Sequence, residues 1–221
     1  MPAGRVPSSD AAPLTAPTVL ITGFGRFPGM PANPSARLAR LLARGRRLAG
    51  MQVALHLLPT RWDEAAVFPA LLERAAPDIV LMLGVAARRQ RVSIERIARN
   101  ATGVFPDAAH RRPASRPLQP GAPAERALTA RPAPLLAALR MAGVPAQLSR
   151  HAGRYVCNAL AWSAYGWARA GCRGDGGPRL AVFVHVPLPR PGRLAPARLA
   201  HGLEALLAAL LAQFHQSRPR G

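Results

Sequence analysis

Lysine is missing altogether: the 30 cationic side chains of this 221-residue chain are all arginine. Acid is scarce as well, 10 residues in all, which leaves a formal net charge of +20 and an isoelectric point near 12.0. Cysteine occurs only at Cys157 and Cys172, too few for the disulfide framework of a small secreted domain. If the residues between them are helical, the two lie on the order of 20 Å apart at ~1.5 Å per residue. That is beyond disulfide reach, so both are read as free thiols in a reducing compartment. No apolar run approaches the roughly 18–20 residues that cross a bilayer. Zinc-finger spacing and the aromatic-plus-basic motifs of RNA-binding modules are absent too. The charge alone would suggest a nucleic-acid or membrane-surface partner. Yet the arginines are scattered along the chain, and they rise together with alanine, proline, glycine and leucine, as a GC-rich coding sequence imposes on any protein. The reading is therefore no nucleic-acid partner and no membrane partner.

Apolar material is plentiful, at 49% of the residues, enough for one sizeable core. Residues 1–17 read as a disordered Pro/Ala-rich leader without the apolar stretch of a secretory signal, 18–215 as one α/β domain, and 216–221 as a short tail. Strand-like and helix-like segments alternate, which predicts a mostly parallel sheet covered by helices. Strands are expected at 18–24, 51–59, 77–86 and 179–189, with weaker ones at 92–98 and 145–153. The run at 77–86 is apolar enough to be central and buried on both faces. Asn33-Pro34-Ser35 opens a helix that stops at Gly45, since Asn33 can accept from free N–H groups and Pro34 suits a first helical position. Further helices are expected from Trp62, interrupted at Pro69, and over 132–143, 157–171 and 195–216. Residues 101–132 are rich in proline, lack periodicity and read as one long loop, a kind that is usually functional or mobile.

The chemistry-bearing residues are few. Cys157 sits where a strand gives way to a helix. Helix N-terminal N–H groups and the helix dipole favour a thiolate there and could hold an oxyanion. His185 lies near the end of the last strand, within reach of a crevice at the strands' carboxyl ends, and could serve as the base. Glu95, between Ile94 and Ile97, is the acid in the most apolar setting. Each also has a plainer reading: a buried cysteine acting as a small hydrophobe, a core histidine, and a Glu95–Arg96 pair in solvent.

The stretch HAGRYVCNAL resembles the segment around the nucleophile of pyroglutamyl peptidase I, also called pyrrolidone-carboxylate peptidase, a family of cytosolic cysteine peptidases. Its companions follow in order: TGFGRF at 22–27, Asn33-Pro34-Ser35, Leu58-Pro59-Thr60, Ile94-Glu95-Arg96-Ile97-Ala98-Arg99-Asn100 and Val184-His185-Val186-Pro187. The likeness covers roughly residues 18–215. Three places differ: the first motif usually has an acidic residue where this chain has Gly25, and two segments are altered. The family's Gly-Gln-Ala-Gly-Gly-Arg turn stands here as Gly84-Val85-Ala86-Ala87-Arg88-Arg89, and its Asp-Asp-Ala-Arg run as Ala101-Thr102-Gly103-Val104. The resemblance implies a single-domain, three-layer α/β/α sandwich that removes N-terminal pyroglutamate from peptides without metal or cofactor. It implies Cys157 as nucleophile, His185 as base and then acid, and Glu95 as the orienting carboxylate. An apolar pocket for the pyroglutamyl ring would be lined by Phe24, Phe27, Thr60, Phe105, Tyr155 and Val156. It also implies a cytoplasmic location and leaves homo-oligomer formation open. The alternatives are a weak or silent homologue that binds blocked peptides, and a hydrolase of another small N-acyl or lactam substrate.

Overall fold

The computed structural model describes residues 16–27, 30–189 and 194–217. Residues 1–15 of the 1–17 leader and 218–221 of the tail lie outside them, so the reading of those segments stays an expectation. Thr18–Phe24 forms strand β1, and Asn33 caps helix α1, Pro34–Ala43, by accepting from the Ser35 N–H at 3.0 Å. β2 is Gln52–Leu58, α2 Trp62–Ala75 and β3 Ile79–Val85. Two short strands follow, β4 at Val92–Glu95 and β5 at Ile97–Arg99. β6 is Glu125–Ala127, α3 Pro132–Met141 and β7 Ala146–Ser149. The chain closes with α4, Val156–Ala170, β8, Leu180–Val186, and α5, Pro196–Gln216.

The six-stranded sheet runs in the order β2-β1-β3-β8-β4-β7, and β5 and β6 make a separate ribbon. β2, β1, β3 and β8 are parallel; β4 is antiparallel to β8 and parallel to β7, so one edge of the sheet is reversed. The connection β1-α1-β2 steps one way along the sheet and β2-α2-β3 steps back. Right-handed crossovers therefore put α1 and α2 on opposite faces. α1 and α3 both pack against α5, and α2 packs against α4, which gives the two helical layers of a three-layer sandwich. Strand β8 is buried along its whole length and β3 along all but its last residue.

Three expectations change. Proline does not interrupt α2: the helix runs through Pro69, giving up one backbone hydrogen bond, because Phe68 and Leu72 on its inner face are held in the core. The strand expected at 92–98 is two strands that part at Arg96. The Arg96 N–H still reaches the Ser149 carbonyl at 2.7 Å, while its own carbonyl accepts from Leu128 at 3.0 Å and hands the chain to the ribbon. The long loop is also more ordered than its composition suggested. It contains β6, and Asp107 inside it is 1% exposed and accepts from the N–H groups of Trp62, Ala109 and Arg111. Asp107 thus caps α2 from 45 residues away, where its own cap residue Arg61 makes no side-chain capping bond. Burial works to raise the Asp107 carboxyl, but the three N–H bonds hold it below the usual carboxylate range.

Candidate active site

The reversed strand β4 brings a carboxylate and an imidazole together. In the β4–β8 ladder Ser93 faces His185 and Glu95 faces Phe183. Glu95 and His185 are then diagonal neighbours on one face of the sheet, within reach of long side chains. Glu95 Oε1 lies 2.7 Å from His185 Nδ1. Glu95 is fully buried and His185 is 5% exposed, which rules out the reading of Glu95 as half of a solvated surface pair. The Phe183 ring lies 4.8 Å from the imidazole and helps to hold its plane. On the other side, Gly84 of β3 is the partner of His185. A Cβ at Gly84 would come within 2.8 Å of the Phe183 ring and 3.2 Å of His185 Cδ2, so a glycine leaves the room the imidazole needs.

Cys157 is the second residue of α4 and is partly exposed. Of the first amides of that helix, Asn158 and Ala159 turn back to the Tyr155 carbonyl, at 2.9 and 3.2 Å. The sequence suggested a thiol made acidic by the helix; desolvation outweighs that effect here. Burial pushes the Cys157 thiol up to about 12, its own backbone N–H works against this, and the Glu95 charge adds to it. The shift favours the protonated thiol, so a neighbouring base is needed to make it a nucleophile. Asn158, fully buried, pins this helical turn to β5: it accepts from the Arg99 N–H at 2.9 Å and donates to the Arg99 and Ala101 carbonyls.

The residues expected to line a ring pocket differ in exposure. Phe24, Thr60 and Val156 are buried; Phe24 packs 6.4 Å from the Phe183 ring, and Thr60 Oγ1 is buried without a hydrogen-bond partner. Phe27 is half-buried, beside a bridge to Met30. Tyr155, directly before the helix, donates its hydroxyl to the Pro106 carbonyl at 3.0 Å and meets Trp62 edge-on. Phe105 differs from the rest: it is 71% exposed, with Val104 beside it at 57%. Among the described residues no cluster of three or more His, Cys, Asp or Glu could hold a metal ion. None of the described helices is long and apolar enough to cross a membrane.

Against known proteins, the profile of the pyroglutamyl peptidase family matches residues 17–195. The chain belongs to that family. It is 38% identical over 202 residues to the pyrrolidone-carboxylate peptidase of Gloeobacter violaceus, an alignment covering 87% of this chain and 96% of the relative. It is likewise 38% identical over 207 residues to that of Streptomyces coelicolor, covering 86% and 90%. Among solved structures, a mutant pyrrolidone carboxyl peptidase from Pyrococcus furiosus superposes with a TM-score of 0.79 at 28% identity, covering 89% of this chain and 99% of that one.

Membership of the pyroglutamyl peptidase family directs attention to residues around the pair that sequence reasoning passed over. Tyr165 is fully buried; its hydroxyl donates to the Glu95 carbonyl at 2.6 Å and accepts from the Phe183 N–H at 3.1 Å, stitching α4 to the β4–β8 seam. Burial holds its phenol above the ordinary tyrosine range. Nothing in an alanine- and aromatic-rich helix sequence marks that role. Arg89 contacts Glu95 directly, and here there was a signal: an arginine closes both the family's Gly-Gln-Ala-Gly-Gly-Arg turn and the altered turn of this chain.

Proposed function

We propose that this pyroglutamyl peptidase family member removes N-terminal pyroglutamate from peptides with Cys157 as nucleophile, His185 as base and acid, and Glu95 as the carboxylate that orients the imidazole. The observation that carries the reading is the buried 2.7 Å contact between Glu95 and His185, at the end of a strand beside the helix that carries Cys157 in its first turn. Burial favours the protonated thiol, so in this reading attack and deprotonation go together. His185 takes the Sγ proton as the sulfur bonds to the pyroglutamyl carbonyl carbon. The oxyanion is stabilised by backbone N–H at the α4 N-terminus, where the Cys157 N–H already lies against its own sulfur. His185 then gives the proton to the leaving amine, and the thioester remains. Water, relieved of a proton by His185, displaces the thiol and frees pyroglutamate. Glu95 holds Nδ1 so that Nε2 faces the reacting atoms.

Phe24, Phe27, Thr60, Phe105, Tyr155 and Val156 form the lining of the ring pocket in this reading. The same reading puts the enzyme in the cytoplasm, acting on blocked peptides without a cofactor or nucleic-acid partner. The test is turnover of a fluorogenic pyroglutamyl amide by the purified protein, beside prolyl and alanyl amides. Cleavage of the pyroglutamyl amide alone is expected, lost on alkylation of Cys157. Binding of pyroglutamyl peptides without turnover would identify a silent homologue. Turnover of a different N-acyl amide alone would identify another hydrolase.

A further inference from the structure

Arg89 lies in the turn after β3, outside the three residues assigned to the chemistry. The turn is fixed at both ends: the Ala86 N–H bonds the Val186 carbonyl and the Arg89 N–H bonds the Ala86 carbonyl, each at 2.9 Å. From there the guanidinium donates twice, through Nη1 to Glu95 Oε1 at 2.5 Å and through Nη2 to the His151 carbonyl at 2.7 Å. Glu95 Oε1 is also the oxygen that meets His185 Nδ1, while Oε2 is buried without a hydrogen-bond partner. A fully desolvated carboxylate with one bare oxygen is costly unless a cation stands against it. His151 belongs to the segment that leads from β7 into α4, six residues before Cys157. One side chain therefore touches both the acid and the strand of backbone that delivers the nucleophile.

We propose that Arg89 is a positioning residue of this enzyme, its guanidinium clamping Glu95 Oε1 to the segment that leads to Cys157 so that imidazole and thiol stay in register. The inference rests on the roles proposed above for Glu95, His185 and Cys157. The planar guanidinium sets its two Nη donors apart in a fixed fork that matches these two acceptors, whereas a lysine ammonium gathers its three donors on one nitrogen at the end of a flexible stem. By offsetting the carboxylate's charge it also keeps the imidazolium from being trapped against Glu95, so that the proton can move on to the leaving amine. Arg89 is a quarter exposed, at 26% of its side chain, so replacing it leaves the core packing intact.

The experiment is a double-mutant cycle with a fluorogenic pyroglutamyl amide as the probe. Arg89→Met is expected to lower kcat about 100-fold, the scale of a small misplacement of reacting groups, with KM nearly unchanged. Arg89→Lys is expected to recover about a tenth of the wild-type rate by restoring charge at one of the two acceptors. With Glu95→Gln already present, Arg89→Met is expected to cost less than about threefold more, since the charge it clamps is gone. In proton NMR spectra, the downfield signal of the His185 Nδ1 proton should fade in Arg89→Met and persist in Arg89→Lys. An equal loss in both backgrounds, or a rise in KM alone, would overturn the clamp and make Arg89 a pocket or folding residue. If Arg89→Met does not fold, the Arg89→Lys loss vanishing or persisting in the Glu95→Gln background decides in the same way. A Glu95→Gln variant with unchanged kcat would instead sink the underlying assignment of Glu95. A loss on Glu95→Gln with none on Arg89→Met would sink the clamp alone.

Discussion

Strands β1, β2, β3 and β8 run parallel and carry long apolar stretches, whereas β4 and β7 run against them and span four residues each. The parallel half holds the core. The reversed edge brings in the carboxylate, and the β5–β6 ribbon continues from it. His185 stands at the border between the two, with Gly84 on the parallel side and Ser93 on the reversed side. A parallel β4 would start its residues from the opposite end of the sheet and would not place Glu95 diagonally across from His185 at this end. The difference teaches that the strands supplying stability and those supplying chemistry follow different rules: long apolar runs for the first, register across one antiparallel seam for the second.

The sharpest way to break that comparison is to remove the groups at the border. Cys157→Ser should abolish turnover with the fold retained, while Cys172→Ser, on an exposed residue, should be nearly silent in the same assay. Equal effects of the two would dissolve the site. Next, His185→Ala should cost about 10⁴-fold in kcat/KM and Glu95→Gln somewhat less, with the double variant no worse than His185→Ala. Additive losses would show that the seam does not act as a unit.

Gly84→Ala probes the parallel side. The added methyl must displace the Phe183 ring or the imidazole, so kcat should fall about 100-fold, with only a small change in melting temperature. A rate close to wild type would mean that the imidazole has slack. The thiol offers a pH test. Burial favours its protonated form and raises it to about 12, so alkylation of resting Cys157 by iodoacetamide should still be climbing above pH 9. A rate that levels off below pH 8 would reveal a resting thiolate–imidazolium pair instead. The smallest effect is expected at Phe105, which is mostly exposed in the free protein. Phe105→Ala should raise KM about fivefold with kcat unchanged, measured by steady-state kinetics; an unchanged KM would take it out of the pocket.

Much of the parallel half was legible because its signals are local. Apolar runs bounded by glycine and proline predicted β1, β2, β3 and β8 closely, and Asn33-Pro34 marked the start of α1. Pro69 misled, because a proline's cost to a helix is local and fixed while the burial that outweighs it is tertiary. Residues 92–98 misled in the other direction: one short alternating run cannot say that its halves pair with different partners. Asp107 capping a helix 45 residues upstream has no counterpart in any local pattern.

The sequence by itself determined the family, through ordered motifs around Cys157, Glu95 and His185, and the alternation of elements that makes a helix-covered sheet. Only the tertiary structure decided that β4 runs backwards, that Glu95 is stripped of water, that Arg89 and His185 meet on one of its oxygens, and that burial pushes the Cys157 thiol up. The physical reason is that strand direction, desolvation and shared hydrogen bonds are set by groups dozens of residues apart. Motif and periodicity carry only what lies within a few turns of the chain.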